Sequence, residues 1–97
     1  MKRFASIEVS IPVMIFEEDK QFVAHTPVLD LSTSGKTYAE SEKRFDEVVE
    51  IFFEEIAKKG TLEQVLTELG WKNTPKSGWS PPLFVSQELR SARLSYA

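Results

Sequence analysis

The chain has 97 residues, 41% hydrophobic and 28% charged, with a formal charge of −3 and no cysteine. That length fits one domain with a modest core, and self-association would help a domain of this size. The missing cysteines exclude disulfides and thiolate metal sites. The negative balance argues against a dedicated nucleic-acid surface, which needs clustered Lys and Arg.

The opening Met1-Lys2-Arg3-Phe4 lacks the apolar run of a signal peptide, and no stretch approaches the ~20 apolar residues of a membrane span. A soluble cytoplasmic chain with no membrane partner is expected. The charge is uneven along it. Residues 38–59 hold seven acidic and four basic residues, whereas residues 71–97 hold Lys72, Lys76, Arg90 and Arg93 against Glu88 alone.

In chain order, Ile7, Val9, Ile11, Val13 and Ile15 alternate with other residues, the period of a strand. Met14 and Phe16 make its second half apolar on both faces, so that half is expected to be more buried. Pro12 cannot donate a ladder hydrogen bond and predicts a break or an edge, with residues 4–10 as a separate or extended strand. The polar residues 17–21 predict a hairpin turn before a second strand, Phe22-Val23-Ala24-His25. A third strand is expected over 29–33, with Gly35 free to take the positive φ that ends it.

Thr37 can cap a helix, with Glu40 three places later to complete a capping box. Phe45, Val48, Val49, Phe52 and Ile56 then recur at three- and four-residue spacing, and Phe53 widens that stripe or marks a second contact surface. Gly60 suits the end of the helix, and Lys58 and Lys59 suit its negative pole. Thr61 with Gln64 repeats the cap for a short second helix closed by Gly70. Residues 72–82 read as a loop flanked by Trp71 and Trp79, aromatics expected to anchor the tail on the core. Leu83-Phe84-Val85 and residues 90–96 read as strand-like, with Ala92, Leu94 and Tyr96 on one side.

Catalytic signals are scarce. His25, the single histidine, has no nucleophile or acid at a recognised spacing and reads as structural. Glu17-Glu18-Asp19 lacks the spacing and the fixed glycine of a calcium loop, and reads as a solvated hairpin tip. Gly35-Lys36-Thr37 resembles the end of a phosphate-binding loop, but Asp30 stands where the upstream glycine is required. No cofactor, metal site or catalytic residue is therefore expected.

With these residues in view, the chain resembles the HicB family of toxin–antitoxin antitoxins. The resemblance covers roughly residues 11–85. It rests on the strand and acidic turn leading to Phe22-Val23-Ala24, then Thr26-Pro27-Val28-Leu29, Gly35-Lys36-Thr37 with Glu40, the helix after them, and Gly70-Trp71 followed by Trp79-Ser80-Pro81-Pro82. Leu29-Asp30-Leu31-Ser32 stands where family members often carry Leu-Pro-Gly-Cys, and Ser41 where Ala is common. The resemblance implies a small α+β domain like a degraded ribonuclease H: a three-stranded antiparallel meander, a long helix, a short helix and a C-terminal strand. An active nuclease of that shape needs several converging carboxylates, and only Glu8 and Asp30 lie on or beside the predicted strands.

For function, the resemblance implies neutralisation of a HicA-like toxin, a small basic messenger-RNA-cleaving enzyme, by direct contact. An acidic inhibitor surface gains steering against a basic RNA-binding one. Glu42, Asp46, Glu47, Glu50 and Glu54 on the outer helix and Glu17, Glu18 and Asp19 in the turn are the expected contacts, with Phe53 as an aromatic anchor. A homodimer or tetramer is expected. About 15 residues follow Pro82, too few for a DNA-binding module, so residues 1–97 read as one domain that binds no nucleic acid alone. Two alternatives stay open: an orphan domain serving as a regulatory or scaffold module without a toxin, and a nuclease or small hydrolase.

Overall fold

Strand β1 (Met14–Glu18) and strand β2 (Gln21–Thr26) pair antiparallel with Glu18 opposite Gln21, so the turn between them is only Asp19 and Lys20. Both turn residues have positive φ, 50° and 63°, the paired left-handed conformation of the tightest hairpin. Aspartate tolerates it; lysine gains nothing from it, so the turn carries local strain at Lys20. The computed structural model describes residues 8–97, and the expected strand over residues 4–10 lies partly outside them. Residues 8–13 form no strand. Pro12 lacks an N–H for the ladder, and Val9 and Ile11 pack against the core instead.

Strand β3 (Leu31–Gly35) pairs antiparallel with β2, two residues later than the sequence predicts, because residues 27–30 form the turn. That turn points inward: Val28 and Leu29 are buried, and Asp30 takes φ 51°. Gly35 does not take a positive φ; it ends β3 as a buried strand residue. Its requirement is space, since a Cβ there would lie 2.6 Å from the backbone nitrogen of Ser41.

Helix α1 (Tyr38–Lys58) starts as predicted, with Thr37 Oγ1 accepting a hydrogen bond from the Glu40 amide at 3.0 Å. The reciprocal half of the box is absent, because the Glu40 carboxylate turns to Arg44 at 2.9 Å. At its other end Gly60 has φ 70°, and the Thr61 and Gly60 amides reach back to the Ile56 and Ala57 carbonyls. This satisfies two orphan carbonyls of the last turn. The same closure ends helix α2 (Leu62–Glu68), where Trp71 and Gly70 donate to Leu66 and Thr67. The expected Thr61–Gln64 box does not form. Thr61 Oγ1 donates backward to the Ile56 carbonyl, and Gln64 bonds Glu68.

Residues 72–80, expected as a loop, form a small hairpin of β4 (Lys72–Thr74) and β5 (Gly78–Ser80). Strands of three residues are too short to leave an alternation in sequence. Gly78 supplies φ 68°, and Thr74 Oγ1 accepts from the Ser77 amide. The architecture is thus α+β: a three-stranded meander in order β1-β2-β3, a long helix, a short helix and a C-terminal strand pair. The strand-like stretches 83–85 and 90–96 form no strand, since none of the strands among the described residues pairs with them.

Helix α1 lies over β3 and β2. It covers the sheet face that carries Ala24, Thr26 and Gly35, all buried. The opposite face carries Met14, Phe16, Val23 and His25, and Phe16 is 55% exposed rather than buried as its apolar neighbours predict. The core gathers Val28, Leu29, Ile56, Leu66 and Trp71, flanked by Phe52, Phe53, Leu62 and Trp79. Both tryptophans therefore anchor the chain after α2, as expected.

Among the described residues one buried side-chain group lacks a partner. Thr26 is fully buried, and its Oγ1 makes no hydrogen bond. An unsatisfied hydroxyl costs about 1–3 kcal/mol, while valine keeps nearly the same shape. Thr26→Val is expected to stabilise the domain by about 1 kcal/mol and raise Tm by roughly 4–8 °C. Calorimetry checks this, and a fall in Tm would mean that the hydroxyl is satisfied in solution.

Candidate functional site

The periodicity of α1 that buries Phe45 and Ile56 and half-buries Phe52 turns another set of residues outward. Glu42, Asp46, Glu47, Glu50 and Glu54 are all exposed. At 100° per residue they fall within an arc of roughly 140°, in which Lys43 is the single cation. The remaining acids of the helix are paired: Glu40, just beyond the arc's edge, with Arg44 at 2.9 Å, and Glu55, farther round, with Lys59 at 3.4 Å. None of the ion pairs among the described residues uses the five carboxylates of the arc. The helix thus carries an acidic arc with no ion pair among the described residues, bordered by the paired Glu40 and Glu55.

The acidic turn is joined to one end of that arc. Phe22, opposite both Glu17 and Gly35, meets Tyr38 edge-to-face at 6.3 Å. The hairpin tip therefore sits at the N-terminal end of α1, on the side of the molecule where Glu42 begins the stripe. Glu17, Glu18 and Asp19 are exposed there. Glu54 lies 12 residues beyond Glu42, about 18 Å along the axis. The turn thus lies toward the Glu42 end of the stripe, and Glu50 and Glu54 lie farther along the helix.

Phe53 stands at the border between stripe and core. Its ring packs edge-to-face on Phe52 at 5.8 Å and on Trp71 at 6.1 Å. Beside it a groove is lined by Val9, Ile11, Val13, Phe45, Asp46 and Val49. The side chain is half-buried, so the aromatic that a partner would meet is already held by its neighbours.

His25 stands opposite Ser32 across the β2–β3 ladder, and its Nδ1 is 2.7 Å from the serine Oγ. It has that structural partner on the open sheet face. Among the described residues no three His, Asp or Glu side chains converge as metal ligands, and no helix is long and apolar enough to cross a membrane. The open face itself, with Met14, Phe16 and Val23 unshielded by the helix, is a surface that reading the sequence missed. Met14 and Phe16 were its signal, two apolar residues on the strand face opposite Ile15.

Fold and surface together define a small α+β domain with an acidic helix face and an open apolar sheet face. No family model matches the chain, and no curated protein or solved structure matches it.

Proposed function

We propose that this chain is an antitoxin-like interaction protein that binds a small basic RNA-cleaving toxin of the HicA type and blocks it by direct contact. The observation that carries the reading is the acidic arc of α1, five carboxylates with one lysine among them and no ion pair among the described residues. Such a face attracts a basic partner, speeds encounter and disfavours RNA, which carries the same sign of charge. The turn Glu17-Glu18-Asp19 extends that field at the Glu42 end, and Phe53 offers apolar surface at its border. In this reading the chain acts by covering the toxin's RNA surface, with no cofactor and no catalytic step of its own.

The test is co-expression with the small open reading frame adjacent to the gene, followed by size exclusion and a growth assay. A stable complex that rescues growth is expected. Glu47→Lys, Glu50→Lys and Glu54→Lys together are expected to leave the thermal melt in place and to weaken the complex by at least about tenfold, most at low salt. Glu55→Lys, outside the arc, serves as the control. A neighbour that is neither toxic nor bound would turn the reading to an orphan interaction module.

A further inference from the structure

Residues 82–86 border an open groove with Pro12, Pro27 and Val28, Leu83 and Val85 already largely exposed, and beyond them the chain leaves the body. Every residue from 87 to 97 is exposed, with Leu94 84% and Tyr96 89% accessible. The radius of gyration is 16.6 Å, against roughly 12–13 Å for a compact chain of this length. Yet residues 92–96 are not composed like a solvated tail. Ala92, Leu94 and Tyr96 alternate with Arg93 and Ser95, the pattern of a half-buried strand with no sheet to join.

The body has an edge with the matching shape. Among the described residues no strand pairs with the outer side of β1, and its five residues equal the length of the alternating segment. At the other edge, β3, the Ser34 carbonyl already accepts from Arg44 Nη1 at 3.0 Å. Beside β1 the open sheet face presents Met14 and Phe16, and Glu17 points to the other side.

We propose that residues 92–96 of one copy add to β1 of a second copy as a fourth antiparallel strand, and that two copies exchange these arms reciprocally. With Leu94 opposite Phe16, Tyr96 stands opposite Met14 and extends the open apolar face. Arg93 then stands opposite Glu17 on the other side. A slip of one residue would turn Leu94 and Tyr96 to the wrong face and part Arg93 from Glu17. Arg90 is already engaged by Glu88 at 2.6 Å, which leaves Arg93 as the cation for the pair.

The arm cannot readily reach its own β1 in this register. It leaves from the Pro12 end, so it would have to pass the full strand and reverse within residues 87–91, which hold neither Gly nor Pro. Five extended residues span about 17 Å, and β1 itself takes roughly 13 Å of that. A second copy supplies the edge without the reversal, and the exchange closes as a two-fold dimer.

The absence of cysteine makes the test clean. Protein carrying Phe16→Cys, mixed with protein carrying Leu94→Cys and oxidised, is expected to give a covalent pair of twice the 11.1 kDa chain mass. Mixing Leu94→Cys with Glu55→Cys is expected to give little. By light scattering the native chain is expected to be dimeric. Arg93→Glu should weaken association about tenfold, and Glu17→Arg in the same chain should restore it. Circular dichroism of the Arg93→Glu chain should show an unchanged body, since the arm makes no part of it. A monomer at every concentration, or a dimer indifferent to Arg93→Glu with no Phe16–Leu94 link, overturns the proposal. The inference stands apart from the toxin reading: an exchanged dimer without a toxin leaves it intact, and a toxin complex of arm-free monomers sinks it.

Discussion

Replacing Trp71 by alanine is expected to remove about 3–5 kcal/mol of stability, the usual cost of deleting a large buried aromatic. Three features place the effect high in that range. The side chain is only 3% exposed, its Nε1 donates to the Val28 carbonyl at 2.7 Å, and its ring meets Phe53 edge-to-face. The hydrogen bond spans 43 positions of sequence and ties the end of α2 to the inward turn between β2 and β3. Alanine would leave a cavity at the junction of three elements and withdraw the donor from a buried carbonyl. Domains of this size hold roughly 5–15 kcal/mol in all, so a third or more of the stability would go. Trp71→Phe separates the causes: it keeps most of the apolar volume and loses the N–H, at an expected cost of about 1–3 kcal/mol. Urea unfolding followed by circular dichroism measures both. A loss below about 1 kcal/mol for Trp71→Ala would show that the turn is held by other contacts.

Helix α1 was legible from the sequence because its signals are local and redundant. Thr37, the apolar spacing from Phe45 to Ile56, and Gly60 each mark it independently. The two hairpin strands β1 and β2 were legible for the same reason, although the turn tightened to two residues. What escaped was decided by contacts distant in sequence. Pro12 marks the break in the ladder, but the alternation from Ile7 onward gives no hint that Val9 and Ile11 turn to pack on the core. Phe16 carries the same apolar signal as Ile15, yet only placing α1 over β2 and β3 leaves its face of the sheet open. The second hairpin was lost because strands of three exposed or half-buried residues show no periodicity. The acidic arc was visible as a list of carboxylates. Its isolation was not, because that depends on which acids find Arg44 and Lys59 as partners.

Gly35→Ala is expected to cost about 3 kcal/mol, through collision alone. An added Cβ would lie 2.6 Å from the Ser41 nitrogen, 2.9 Å from the Glu40 carbonyl carbon and 3.0 Å from the Glu40 Cβ. Two of the three are backbone atoms, so no side-chain rotation relieves the clash. Only Lys36 and Thr37 connect β3 to α1, too short a link to absorb a shift of the helix. The first turn is also fixed from within: Ser41 is fully buried, its amide bonds the Thr37 carbonyl at 3.0 Å, and its hydroxyl bonds the Tyr38 carbonyl at 2.7 Å. The strain must then enter the sheet–helix contact, where overpacking costs typically 1–3 kcal/mol and occasionally more. Gly60→Ala is the contrasting variant. Nothing lies within 4 Å of its added Cβ, and only the left-handed φ of 70° opposes it, at about 1–2 kcal/mol. The two are told apart by amide exchange: Gly35→Ala should loosen Ser41 and the amides pairing β2 with β3, while Gly60→Ala should loosen only the end of α1. Equal costs with protection at Ser41 unchanged would mean that β3 and α1 sit farther apart in solution. The same contact joins the Glu17–Asp19 turn to the Glu42 end of the acidic arc. On the proposed function, a helix displaced by Gly35→Ala should therefore weaken binding of the basic partner beyond what the loss of stability alone would cause.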